Sequence, residues 1–201
     1  MNPLLSVKGT IITGFVLAII AAVVFRNGAF SILEIEVWLH SIAGVLWIGL
    51  LYYFNFVQVP GVGAALADSD GPGPAAINKY IAPRALFWFR WAAVATWITG
   101  VGALANLLGH TGALNALIFN GDTQVQIIGL GAWLGTIMLF NVWVLIWPNQ
   151  KKILGLDGKE HSADAIASAK KTALLASRTN AVLSIPMLLC MTAYGHGGMP
   201  F

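Results

Sequence analysis

The chain has 201 residues, 58% hydrophobic and only 9% charged, with a mean hydropathy of +0.77. Soluble domains carry about 25% charged residues, so composition excludes a soluble globular enzyme and predicts an all-α integral membrane protein, one membrane domain over 1–201. The formal charge of +3 is concentrated in one loop, so it reports topology better than it reports a nucleic-acid partner, and none is expected. The one cysteine, Cys190, rules out an intrachain disulfide and any CxxCH haem-attachment motif in this sequence; it reads as a small buried hydrophobe.

A hydrocarbon core of about 30 Å needs roughly 20 helical residues. Apolar runs of that length predict a bundle of five transmembrane helices, at about 9–26, 33–57, 83–109, 124–147 and 174–195. The first run, Thr10 to Phe25, follows Lys8 as a signal peptide would, but no small-x-small cleavage site comes after it, so it reads as a retained helix. The second carries Glu36, His40, Gly44 and Trp47, which share one helical face, and ends near Asn55 and Gln58. Gly61 to Ala76, with Gly-Pro-Gly-Pro at 71–74, predicts a helix-breaking loop. The third span holds Arg90 and closes on His110. Thr111 to Phe119 predicts a short apolar segment along the interface, before a turn at Asn120-Gly121-Asp122. The fourth contains Asn141 and a GxxxG pair, Gly131 and Gly135, a signature of close helix packing. Ser162 to Ala173 predicts an extension of the fifth helix capped by Ser162, and that helix carries Arg178 and Asn180 and closes on His196. Trp88, Trp91, Trp143 and Trp147 fall near helix ends, as an interfacial or packing belt does.

Five spans put the termini on opposite sides of the membrane. One face then holds Lys8, Lys79, Arg84, Lys151, Lys152, Lys159, Lys170, Lys171 and Arg178, and the other Arg26 alone. The positive-inside rule predicts a cytoplasmic N-terminus and an outer, periplasmic C-terminus.

On this topology three of the four histidines fall near the outer face, and an intramembrane ionisable side chain is a functional-site hypothesis by default. His40, roughly 10 Å below the outer end of its helix, suits an axial ligand of haem b. Gly44 then leaves room for the macrocycle, Trp47 packs on its rim, and Glu36 orients the imidazole. Either His196 or His110 supplies the second ligand, or the three histidines, with Glu36, hold zinc or copper. The plainer readings are an interhelical hydrogen bond for His40, an interfacial side chain for His110 and a tail residue for His196. His161, in the charged loop, reads as solvated. A second polar set gathers toward the cytoplasmic half: Asn55, Gln58, Arg90, Asn141, Gln150, Arg178 and Asn180. Arginines with amides can hold a planar anion; the alternative is snorkelling arginines and interhelical amide bonds.

Several stretches resemble one family. They are Leu39-His-Ser-Ile-Ala-Gly-Val-Leu-Trp-Ile-Gly-Leu-Leu-Tyr-Tyr-Phe-Asn-Phe-Val-Gln58, Trp88-Phe-Arg-Trp91, Leu134-Gly-Thr-Ile-Met138 with Asn141-Val-Trp143, Ile146-Trp-Pro-Asn-Gln150, Ser177-Arg-Thr-Asn180 and Ser184-Ile-Pro186. Together they are similar to the membrane domain of the bacterial urate hydroxylases, the cytochrome-c-linked membrane urate oxidases. The spacing of His40, Trp47 and Gly49 also faintly resembles the haem-binding membrane protoporphyrinogen oxidases. The first resemblance implies a multi-pass module of the bacterial inner membrane that passes electrons to a c-type cytochrome, carried in full-length members as a C-terminal domain. This sequence ends at Phe201 without CxxCH, so the expected acceptor is a separate periplasmic cytochrome.

The leading expectation is therefore a membrane redox module, urate hydroxylase-like, with one haem b near the outer face. Two alternatives stay open: a non-redox accessory subunit of a larger membrane complex or homo-oligomer, and an anion-binding or transport module built on the inner arginine and amide set.

Overall fold

The computed structural model describes residues 2–26 and 28–199; the chain end at Phe201 lies outside them. All regular structure among the described residues is helical. Five helices are long and apolar enough to cross a membrane: α1 (Val7–Val24), α2 (Ile32–Ala67), α3 (Ile77–Leu117), α4 (Thr123–Ile153) and α5 (Ala163–Gly195).

Residues up to Ser31 form one compact unit and those from Ile32 onward another. In the first, α1 starts where the Ser6 hydroxyl accepts the Gly9 N–H, an N-cap that satisfies one orphan amide of the first turn. The second unit is an antiparallel four-helix bundle. Its neighbours in sequence are neighbours in space, α2 on α3, α3 on α4 and α4 on α5, and α5 closes back on α2. The start of α2, the end of α3, the start of α4 and the end of α5 therefore share one end of the bundle, which carries His40, His110 and His196.

Three of these helices run further than the apolar runs suggest, each past a proline. The second span was expected to end near residue 57, the third to begin near 83 and the fourth to end near 147, beside Pro60, Pro83 and Pro148. Each helix instead continues through its proline, two residues beyond a widened π turn: Phe54–Gln58, Ile77–Ile81 and Asn141–Ile146. A proline ring collides with the carbonyl four residues back. Those carbonyls, of Phe56, Lys79 and Val144, lie inside the π turns, where the wider backbone moves them aside. The loop expected from Gly61 to Ala76 accordingly shrinks to the residues after Ala67, where Gly73 takes φ +67°. At 36 residues, α2 is about 54 Å long, so it tilts or projects beyond a bilayer core.

Near the histidine end, α3 is broken at Gly109 (φ 70°, ψ 165°), a conformation reserved for glycine. The break turns residues 110–117 onto α4. Ala116 is fully buried, Trp133 Nε1 donates to the Leu117 carbonyl at 2.7 Å, and a side chain at Gly129 would overlap the Ala116 carbonyl. Residues 110–117 are thus helical and packed on α4. The turn at 120–122 forms as expected, with the Asp122 carboxylate accepting the Val125 N–H to cap α4. Ser162 caps α5 through the Ala165 N–H.

The core sits in the middle of the bundle around Trp47, Leu51, Phe89, Met138 and Val142, each at most 1% exposed. Phe54 meets Phe89 edge-on at 5.4 Å. In lipid, close packing and hydrogen bonds join helices, because the tails are as apolar as the side chains. A polar stripe on α5 supplies those bonds. Ser177 accepts from Asn55 Nδ2 (2.9 Å), Asn180 Oδ1 accepts from Asn141 Nδ2 (2.8 Å), and Ser184 pairs with Tyr52 (2.9 Å). Ser184 spends its proton on the Ala181 carbonyl, so Tyr52 is the donor in that pair. Of the GxxxG pair, Gly131 packs on α5, its Cβ position 3.0 Å from Cys190 Cβ, while Gly135 has nothing within 4 Å.

Candidate functional site: the histidine seam between α2 and α3

Glu36, His40 and Gly44 rise along one face of α2, and α3 opposes them with Asn106, Gly102, Gly100 and Thr96. The two glycines let the polar side chains lie flush on the opposing backbone. A Cβ at Gly100 would stand 2.8 Å from His40 Cε1 and 2.9 Å from Nδ1, and one at Gly102 would overlap the Glu36 carboxylate.

His40 Nδ1 lies 2.8 Å from the Thr96 carbonyl oxygen. A carbonyl only accepts, so Nδ1 carries the proton and donates it. The neutral ring then keeps its lone pair on Nε2, which has no hydrogen-bond partner among the described residues and is not sealed inside the protein. A backbone carbonyl on Nδ1–H is how metal-binding imidazoles are commonly oriented. The role expected of Glu36 thus belongs to Thr96; Glu36 Oε2 instead accepts from Asn106 Nδ2 at 2.7 Å. At Gly44 the nearest atom to a Cβ is Thr96 Cγ2 at 3.8 Å, an ordinary contact, so helix packing does not require glycine there. Trp47 departs from the rim position expected of it. It is 1% exposed in the core, with its indole N–H buried and without a hydrogen-bond partner among the described residues.

His196, at the end of α5, repeats the His40 pattern: its Nδ1 donates to the Thr192 carbonyl at 2.8 Å, and the residue is exposed. His110 is exposed just after the Gly109 break. Among the described residues, no three His, Cys, Asp or Glu side chains gather closely enough to hold a metal ion, so the three histidines are not brought into one zinc or copper cluster.

Residues 110–199 match the family model described as urate oxidase N-terminal. The chain resembles that family. The match to the urate oxidase N-terminal family spans a little under half of the chain and takes in α4, α5 and the packed 110–117 segment, with His110, Asn141, Asn180 and His196; the His40 seam lies before it. No curated protein and no solved structure matches the chain.

The inner polar residues, several of them within the urate oxidase N-terminal match, divide into separate settings. Asn141 and Asn180 are buried and satisfy each other, with Asn180 Nδ2 on the Met138 carbonyl. Asn55 donates to Leu51 O and Ser177 Oγ, leaving its own Oδ1, like Gln58 Oε1, buried without a partner among the described residues. Arg90 stacks on Trp147 at 3.9 Å, while Arg178 is exposed. Gln150 is half-buried. Trp91 and Trp143 pair edge-on at 5.4 Å. His161, expected to be solvated, is 18% exposed and bonds Asp157 at 2.8 Å. That hydrogen bond, more than any other influence, holds the Asp157 carboxyl below the usual carboxylate range.

Sequence reasoning missed Thr96, Gly100, Gly102 and Asn106. Their signal was available: Asn106 is a polar residue inside an apolar run, and such groups seek a partner on a neighbouring helix.

Proposed function

We propose that the chain is a membrane redox module that binds one haem b at the histidine end of its bundle and passes electrons to a c-type cytochrome docking there. The observation that carries this reading is the hydrogen bond from His40 Nδ1 to the Thr96 carbonyl, which leaves Nε2 of an intramembrane histidine free to bind iron. Two further features support the fit. At Gly44, one turn from His40 on the same face, an added Cβ would meet only Thr96 Cγ2 at 3.8 Å, and His196 keeps the same tautomer as a candidate second ligand. Haem, when bound, supplies reversible one-electron transfer. The residues of the chain orient and enclose. Thr96 and Gly100 fix the plane of the His40 ring, and the Glu36–Asn106 pair ties α2 to α3 one turn away. The resemblance to the urate oxidase N-terminal family is in keeping with an oxidative role in a bacterial inner membrane, with the histidine end facing the periplasm by the bias of Lys and Arg.

The test is an oxidised-minus-reduced visible spectrum of protein produced with ample haem, alongside His40→Ala, His196→Ala and His110→Ala. A Soret band that His40→Ala abolishes supports the reading, and the variant that shifts the band names the second ligand. A correctly folded protein with no Soret band would leave the accessory-subunit reading standing; bound zinc or copper in the same sample would replace haem with a metal site.

A further inference from the structure

On the flank of the bundle, away from the histidine seam, an open groove of about 440 Å³ runs between α2 and α5, lined by Asn55, Phe56, Arg178, Ala181, Val182 and Ile185. Its walls are apolar apart from Asn55 and Arg178. The Asn55 amide is held by Leu51 O and Ser177 Oγ, and Phe56 stacks on Tyr52 at 5.4 Å, so the α2 wall is fixed in place. Phe56, Val182 and Ile185 are each about two-thirds exposed. Arg178 is exposed and has neither a carboxylate partner nor a hydrogen bond among the described residues.

Depth gives the groove its chemistry. Arg178 lies about 26 Å along α5 from Gly195, close to one hydrocarbon thickness from the histidine end. Its guanidinium therefore reaches the headgroup level of the opposite leaflet. Ala181, Val182 and Ile185 follow on the same helix toward the bilayer centre, the direction a lipid tail takes from its phosphate.

We infer that this groove binds one anionic phospholipid, with its phosphate on Arg178 and an acyl chain along Val182 and Ile185. Charge complementarity selects the occupant, since an unneutralised cation at headgroup depth favours an anionic lipid over a zwitterionic one by about fivefold. The leaflet is the one expected to face the cytoplasm, where Lys170 and Lys171 lie further along the same helix. The inference is independent of any haem.

The test uses the full chain in nanodiscs of equal phosphatidylglycerol and phosphatidylcholine, transferred to mild detergent, with retained lipid counted by native mass spectrometry. The expected result is about fivefold enrichment of phosphatidylglycerol. Arg178→Gln should remove that preference, and Ile185→Trp, which keeps the cation but fills the groove, should lower retention of both lipids. Equal retention of both lipids by the unaltered chain overturns the proposal, as does enrichment that survives in helical, folded Arg178→Gln. Release of the lipid by inorganic phosphate assigns Arg178 to a free anion and overturns it as well.

Discussion

Gly100→Ala and Gly44→Ala add the same methyl group to opposite sides of the seam, and the structure predicts opposite signs. At Gly100 the new Cβ stands 2.8 Å from His40 Cε1. To regain ordinary contact near 3.4 Å the ring must retreat about 0.6 Å, and a retreat along its bond to Thr96 stretches 2.8 Å to roughly 3.4 Å, beyond a good N–H···O distance. Losing that bond costs about 1 kcal/mol and overpacking about 1–3 kcal/mol. Alanine's helix propensity returns about 1 kcal/mol, so the net destabilisation is about 1–3 kcal/mol. At Gly44 only the propensity gain applies, because the nearest atom is 3.8 Å away, and the haem-free protein should gain up to about 1 kcal/mol. With haem supplied, the same Gly44→Ala change should lower haem occupancy, since its methyl group enters the space proposed for the macrocycle. The assay is reversible unfolding of haem-free protein in one detergent, followed by circular dichroism, with haem content measured separately. Equal stability of the two variants would falsify the seam as described.

Other expectations follow from other contacts. Asn180→Ala removes the partner of Asn141 and the donor to Met138 O in the buried α4–α5 contact; it should cost about 1–2 kcal/mol in the same unfolding assay, whereas an unchanged midpoint would make those bonds dispensable. Gly129→Ala sets a methyl group against the Ala116 carbonyl, which is backbone and cannot swing away; a loss of about 3 kcal/mol is expected, together with faster proteolysis within residues 110–119. In the loop before α5, Asp157 accepts from His161 and from the Lys159 N–H, and its carboxyl is held below the usual range. A depressed folded pKa means the ordering is present above the ordinary Asp value near 4 and is lost as pH falls through the lowered value. Hydrogen-exchange protection of the Lys159 amide should therefore drop in that acidic window. Asp157→Asn should lack the drop, and global stability should barely move, because the pair is solvent-screened.

What could be read from the sequence was what depends on local pattern. The apolar runs, the Ser162 cap and the turn at 120–122 all follow from neighbours in the chain. Helix ends are less legible, because an apolar run marks only the stretch suited to hydrocarbon, while the bundle carries three helices on through a proline by π turns at Phe54–Gln58, Ile77–Ile81 and Asn141–Ile146. The left-handed Gly109 was equally hidden, since a glycine in an apolar run looks the same whether it is packed or broken. Which residue serves which partner is a property of the pairing of helices. Spacing offered Glu36 to His40 as a neighbour on one helix; packing gives His40 a carbonyl of α3 and gives Glu36 the amide of Asn106. Trp47 shows the same limit, because its helical face is shared with His40 and its burial in the core is set by Phe89 and Met138 on other helices. The inner arginines and amides looked like one cluster by depth, yet they point into different contacts around the bundle.

The central claim is that His40 Nε2 binds iron, and rescue of His40→Ala by free imidazole tests it most directly. Haem-loaded protein should show a Soret band that His40→Ala loses, that added imidazole restores in that variant, and that His161→Ala leaves unchanged. A His40→Ala spectrum identical to that of the unaltered chain, before any imidazole is added, would contradict the assignment.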